Sequence, residues 1–133
     1  MSSINQIQVP NQQSQLELEL SVLSYNVNFA CARDRVARAT ERNIIGAIRS
    51  ADADLVLLQE THAPWHALLR DQLDYPFEFF HDESLASSGG VSIFSRHPLL
   101  ELHVTQTPQT VTGSWFPIVT ALIDSPIGTI ACR

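Results

Sequence analysis

From position 16 the chain reads LELELSVLSYN, in which Leu16, Leu18, Leu20 and Val22 alternate with Glu17, Glu19 and Ser21 before the alternation lapses. A period of two belongs to a strand whose faces meet different surroundings, so a strand that begins half exposed and ends buried is predicted. The period then changes. Val36, Thr40, Ile44 and Ile48 recur every four residues, with Ala37, Ile45 and Ala51 beside them, and Asp34 stands where it can cap the first turn of a helix. Gly46 inside that helix costs about 1 kcal/mol against alanine, which suggests that a neighbour packs closely there. In DADLVLLQE the apolar run 55–58 is continuous rather than alternating and too short for a helix, the pattern of a central, parallel strand buried on both faces. Pro64 opens a second helix with Trp65, Leu68, Leu69 and Leu73 as its apolar stripe, and Tyr75 and Pro76 end it. Strand-like segments follow: YPFEFFHD, GVSIFSR, LELHVTQ, WFPIVTALID and IGTIAC. Residues 83–90 form a loop, Pro117 belongs near the start or edge of its strand, and Ser125 and Pro126 read as a hairpin turn.

The first strand, the first helix and the strand at 55–58 make a β-α-β unit. Such a crossover renders its two strands parallel and brings their C-terminal ends to one edge, roughly 5 Å apart if they are neighbours. That edge is polar: one strand ends in Tyr25-Asn26-Val27-Asn28 and the other in Gln59-Glu60-Thr61-His62. Ligands of open α/β sheets bind outside the carboxyl ends of the strands. An amide oxygen and a carboxylate converging there suit a hard cation such as Mg²⁺, which takes one or two carboxylates and completes its shell with water and phosphate. Asn26 and Glu60 are therefore the candidate pair, although polar residues at strand ends also serve simply to satisfy local hydrogen bonds.

Composition narrows the setting. The chain has 133 residues, 44% hydrophobic and 17% charged, which is ordinary for a single globular domain. The run at 55–58 is far short of the roughly 20 apolar residues of a membrane span. Residues 1–15 are uncharged and rich in Gln, Asn and Ser, the composition of a flexible arm, and they lack the pattern of a secretory signal, so an intracellular, cytoplasmic location is expected. In that compartment Cys31 and Cys132 are expected as small buried hydrophobes. The formal charge is −6, yet five of the eight arginines (Arg33, Arg35, Arg38, Arg42, Arg49) lie between 33 and 49, opposed only by Asp34 and Glu41. Nucleic-acid binding leaves a broader basic footprint, and an arginine stripe at helical spacing is read as a solvated face.

LSYNVNF, DLVLLQE and GGVSIFSRHPLL, in that order, resemble the first three signature segments of the endonuclease/exonuclease/phosphatase superfamily, over about residue 20 to the C-terminus. The resemblance implies an α/β (α+β) fold, the N-terminal half of a four-layer α/β/β/α sandwich with a mixed sheet and two flanking helices. It implies Mg²⁺-dependent hydrolysis of a phosphodiester or phosphomonoester, with Mn²⁺ as a substitute, the substrate being nucleic acid, phospholipid or sphingolipid, or inositol phosphate. By resemblance Glu60 matches the family's principal metal-binding glutamate and Asn26 the asparagine beside it, as a ligand or as the group behind one. Asn28 falls where some members carry an aspartate near the metal. Arg96 is expected to be chiefly structural. The later family segments, a catalytic histidine, a Gly-Asp-x-Asn motif and a terminal Asp-His pair, have no counterpart in these residues. Residues 16–133 are accordingly expected to form a partial domain that is inactive alone, with an apolar sheet face left for a partner chain.

Other pairings carry less. His62 and His66 are four apart, but Pro64 stands between them and no third zinc ligand is evident. His81 and His97 are read as surface or loop residues, and Tyr25 and Trp115 as core aromatics rather than base-stacking platforms. No glycine-rich phosphate loop follows the first strand, which disfavours a doubly wound nucleotide-binding domain. The principal alternative to an enzyme is a non-catalytic interaction protein or split subunit that uses an exposed sheet face.

Overall fold

A computed structural model describes residues 18–27, 37–82, 89–105 and 117–133. Its elements run β1 (Val22–Asn26), α1 (Ala37–Ala51), β2 (Leu55–Thr61), α2 (Ala63–Gln72), β3 (Phe77–His81), β4 (Gly90–Ser95), β5 (Leu99–Thr105), β6 (Ile118–Ser125) and β7 (Gly128–Cys132). Four strands form a mixed sheet in the order β1-β2-β4-β3, and the other three an antiparallel sheet β5-β6-β7. β1 lies parallel to β2, with Val22 opposite Leu55 and Asn26 opposite Gln59. β4 runs antiparallel to both β2 and β3. The strands β1, β2 and β3 therefore end on the same edge, as the β-α-β reading requires for the first two.

Two clusters separate three layers. On one face of the mixed sheet Val56, Leu58 and Phe94 pack with Ile44, Ile45 and Ile48 of α1 and Trp65 and Leu69 of α2. On the other, Leu55 and Ile93 meet Val119, Ala121 and Ile123 of β6. The second sheet thus covers the face of the central strands that the sequence pattern leaves bare, because Val119, Ala121 and Ile123 line one face of β6 and Leu99 and Val104 of β5 join them, while the alternating Leu100 and Leu102 are exposed. β2 is central and buried from both sides, as its continuous apolar run demands. β1 departs from expectation: Val22 is 50% and Tyr25 38% exposed, and burial begins only at Val27. Among the described strands β1 is one of the two outer ones of its sheet, so its alternation marks an edge and Tyr25 is no core aromatic.

Local chemistry fixes the connections. His62 caps α2, its Nδ1 accepting from the Trp65 N–H at 3.3 Å, and Pro64 sits in the first turn. At the other end of α2, Arg49 of α1 donates from Nε and an η-nitrogen to the Gln72 carbonyl at 3.0 and 2.7 Å, so this arginine joins two helices rather than merely facing solvent. Gly46 lies on the exposed side with open space around its Cα, not in a close contact. Asp54 accepts from both the backbone N–H and the hydroxyl of Ser21, at 2.9 and 2.7 Å, which with the nearby Arg96 guanidinium holds its carboxyl below the usual aspartate value. Arg96 also donates to the Asp52 carbonyl at 3.1 Å and ion-pairs with the Asp52 carboxylate, clamping the turn between α1 and β2. Ser125 pairs with Gly128 across the two-residue turn that joins β6 to β7. Cys132 is half-buried against the second cluster. The arm at 1–15, Asp34, Cys31 and Trp115 lie outside the described residues. No described helix is long and apolar enough to cross a membrane.

Candidate functional site

At its C-terminal end β2 departs from regular pairing with β4. Gln59 lies opposite Val91 and Thr61 opposite Gly90, leaving Glu60 as the extra residue of a bulge. Glu60 takes a φ of 59°, in the left-handed region that costs a non-glycine residue about 1–2 kcal/mol. The extra residue turns the glutamate out of the ladder's alternation. Its Oε1 accepts a 2.8 Å hydrogen bond from Nδ2 of Asn26, the last residue of β1. The backbone locks the two strand ends together as well, the Val27 N–H donating to the Gln59 carbonyl at 3.1 Å. Asn26 is exposed and Glu60 half-buried, so the amide and carboxylate meet at an edge that a ligand reaches.

A buried polar chain lies behind the bulge. Ser92 of β4 donates from its hydroxyl to Oγ1 of Thr61 at 3.0 Å, and the same Oγ is 3.1 Å from Nδ1 of His66. Serine has one hydroxyl proton, and with that proton given to Thr61 its oxygen is the acceptor for a proton on His66 Nδ1. Nε2 lies 3.4 Å from Arg70 and 3.5 Å from Glu78, and these two form an ion pair at 2.6 Å. The His66 ring stacks between Phe80 and Phe94, at centroid distances of 4.6 and 5.3 Å. Burial pushes the imidazole pKa down, the Glu78 carboxylate opposes this and Arg70 adds to it. Opposite Thr61, Gly90 admits the His81 carbonyl so closely that a Cβ there would lie 1.9 Å from it.

The structure thus brings together Asn26 and Glu60, while Asn28 lies outside the described residues. His62 and His66 are a helix cap and a buried hydrogen-bonding ring. His81 is not a loop residue: it ends β3, half-buried, on the same edge as Asn26 and Glu60, with Asp82 following it. The Thr61–Ser92–His66 chain escapes a reading of the sequence. A signal for it is present, since His62, His66, Leu69 and Leu73 are spaced four, three and four apart, which puts His66 on the buried stripe of α2. Among the described residues no group of three or more His, Cys, Asp or Glu side chains gathers to hold a metal.

Residues 23–129 match the profile of the Endonuclease/Exonuclease/phosphatase family. The chain belongs to this family. Solved structures share the fold: Danio rerio TDP2 complexed with a single-strand DNA product superposes with a TM-score of 0.67 at 19% identity, over 84% of this chain and 43% of that one. An endonuclease/exonuclease/phosphatase from Beutenbergia cavernae gives 0.68 at 24% identity, over 86% and 37%. ANGEL2, a 2′,3′-cyclic phosphatase in complex with adenosine-2′,3′-vanadate, gives 0.63 at 20%, over 84% and 39%. The chain therefore spans about two fifths of the length of these structures. No curated protein sequence matches it.

Proposed function

We propose that Asn26 and Glu60 form the cation-binding side of a Mg²⁺-dependent phosphoesterase site, with Mn²⁺ as a substitute, that hydrolyses a phosphodiester or phosphomonoester. The observation that carries this reading is the 2.8 Å amide–carboxylate pair at the bulged end of β2. One carboxylate backed by an amide suits a hard cation that keeps most of its shell for water and phosphate, so Mg²⁺ does not require the cluster of three His, Cys, Asp or Glu side chains that is absent among the described residues. When bound, the cation would stabilise negative charge on the phosphoryl oxygens and the leaving group. Glu60 would supply the anionic oxygen that holds it, and Asn26, by donating to Oε1, would fix the rotamer of that carboxylate. The family supports phosphate-ester chemistry, and of the neighbours TDP2 holds a single-strand DNA product and ANGEL2 holds adenosine-2′,3′-vanadate. Nucleic acid, phospholipid or sphingolipid, and inositol phosphate all present such esters.

The general base and most of the electrostatic preorganisation are assigned to segments that the longer neighbours possess and these 133 residues do not span, because the chain covers two fifths of those neighbours. The 133-residue chain alone is accordingly expected to bind the cation weakly and to turn over no phosphodiester. Titration with Mn²⁺, followed by loss of the free-ion EPR signal, tests the pair: wild type binds, Mg²⁺ competes, and Glu60→Gln loses the binding. A wild-type chain that leaves the signal untouched at millimolar Mn²⁺ sinks the reading. Mg²⁺-dependent cleavage of bis(p-nitrophenyl) phosphate that disappears in Glu60→Ala would show instead that the chain is complete enough to act.

A second reading, a split subunit or interaction protein completed by a partner chain, is favoured by one observation. Among the described residues β1 is an outer strand with Val22 and Tyr25 exposed, a surface to which another strand could be added.

A further inference from the structure

We infer that Thr61, Ser92 and His66 are positioning residues, a buried hydrogen-bonded chain from α2 through β4 that holds the bulge of β2 and with it the direction of the Glu60 carboxylate. The functional consequence rests on the cation reading of Glu60; the structural one does not.

Glu60 sits in a backbone conformation that a glutamate does not adopt unless its surroundings impose it. On one side, β1 imposes it through the Val27–Gln59 backbone bond and the Asn26–Glu60 side-chain bond. On the other side the ladder is broken, since Gln59 and Thr61 pair with consecutive residues of β4 across the bulge. There the register depends on the residue after Glu60. Thr61 is fully buried, and its hydroxyl meets that of Ser92, also fully buried. Pairing this hydroxyl is what fixes which face Thr61 presents, because a slip of one residue would send it to the other face of the sheet and leave Ser92 without its acceptor. Ser92 in turn is oriented by His66, whose ring is clamped between Phe80 and Phe94 and tied to the Arg70–Glu78 pair. The chain thus runs from a surface ion pair to the residue next to the candidate ligand, and every link is a directional hydrogen bond or a stacked ring. Outer groups of this kind set the geometry of the residues that hold a cation, and their loss typically weakens binding by roughly ten- to a hundredfold.

The test compares Thr61→Val, which keeps shape and loses the hydroxyl, with Thr61→Ser, which keeps the hydroxyl, and adds Ser92→Ala. Two quantities are read on each folded chain: the backbone ¹³C shifts of Glu60, which report its φ, and the Mn²⁺ dissociation constant. Thr61→Val and Ser92→Ala are expected to lose the left-handed shift pattern at Glu60 and to bind Mn²⁺ roughly tenfold more weakly, while Thr61→Ser behaves as wild type. A merely structural role would lower the unfolding midpoint and leave both quantities in place, and that outcome overturns the inference. Should Thr61→Val fail to fold, Ser92→Ala removes the same bond from the neighbouring strand and decides. If the wild-type chain binds no Mn²⁺ but the Glu60 shifts move as described, the cation reading falls and the positioning role stands.

Discussion

Glu60 shows how a single residue can carry a cost that its chemistry explains. A strand ordinarily prefers alanine to glycine, since glycine loses more chain entropy on folding. At a φ of 59° that order reverses, because the Cβ clashes in the left-handed region. Glu60→Gly is therefore expected to be more stable than Glu60→Ala by about 1 kcal/mol in urea unfolding, with both variants equally unable to bind Mn²⁺. His66 carries a second consequence. Burial favours its neutral ring, so below the unfolded value of 6.5 the unfolded chain binds more protons than the folded one. The stability this histidine contributes is complete above that pH and is lost as pH falls through the lower folded value. Urea midpoints should decline on that side in the wild type and much less in His66→Gln. Because the Glu78 carboxylate opposes the shift, Glu78→Gln should deepen the decline.

At the scale of elements, period and punctuation make most of the architecture legible, and the departures have physical causes. β2 is readable because a run without alternation can be buried from both sides only in mid-sheet. The hairpin at 126–127 is readable because a proline turn separates two strand-like runs. β1 misleads because alternation states that one face differs from the other but not that either is covered. The second sheet's role is implied by the resemblance to a sandwich family but hidden from the local pattern, because helices, not strands, are the usual cover of a parallel pair. That Asn26 and Glu60 lie side by side is legible from the β-α-β rule, and their candidate role from the resemblance, whereas the bulge that aims Glu60 depends on the register against β4, a long-range pairing that no local pattern encodes. Gly46 suggests a packing contact in the sequence, yet its Cα faces open space on the exposed side of α1. Gly46→Ala should therefore stabilise the chain by about 0.5–1 kcal/mol, with no change at the site. A loss of stability would mean that another surface packs against α1 in solution.

For the whole molecule the question is what its outer edges do. Layering accounts for both faces of the mixed sheet, but among the described residues β1 pairs with β2 alone. The strand carries Val22 at 50% and Tyr25 at 38% exposure, and Leu18 just before it is 62% exposed. A strand at the edge of a sheet is a template for another strand, and proteins that keep such an edge free of partners usually place a charge on it. β1 itself carries no charge; its sequence is VLSYN. The chain is therefore expected to associate as its concentration rises, and Val22→Lys, which places a charge on this edge away from Asn26 and Glu60, should return it toward a 14.8 kDa monomer while leaving Mn²⁺ binding unchanged. Sedimentation velocity from about 5 to 200 µM reads this directly, a range over which an edge contact of micromolar affinity changes from mostly free to mostly bound. A wild-type chain that stays monomeric throughout would remove the support for a partner seated on β1 and leave the phosphoesterase site as the feature around which this edge is built. Association that Val22→Lys suppresses would place the docking surface on the very strand that supplies Asn26, so completing the sheet and completing the site would be one event.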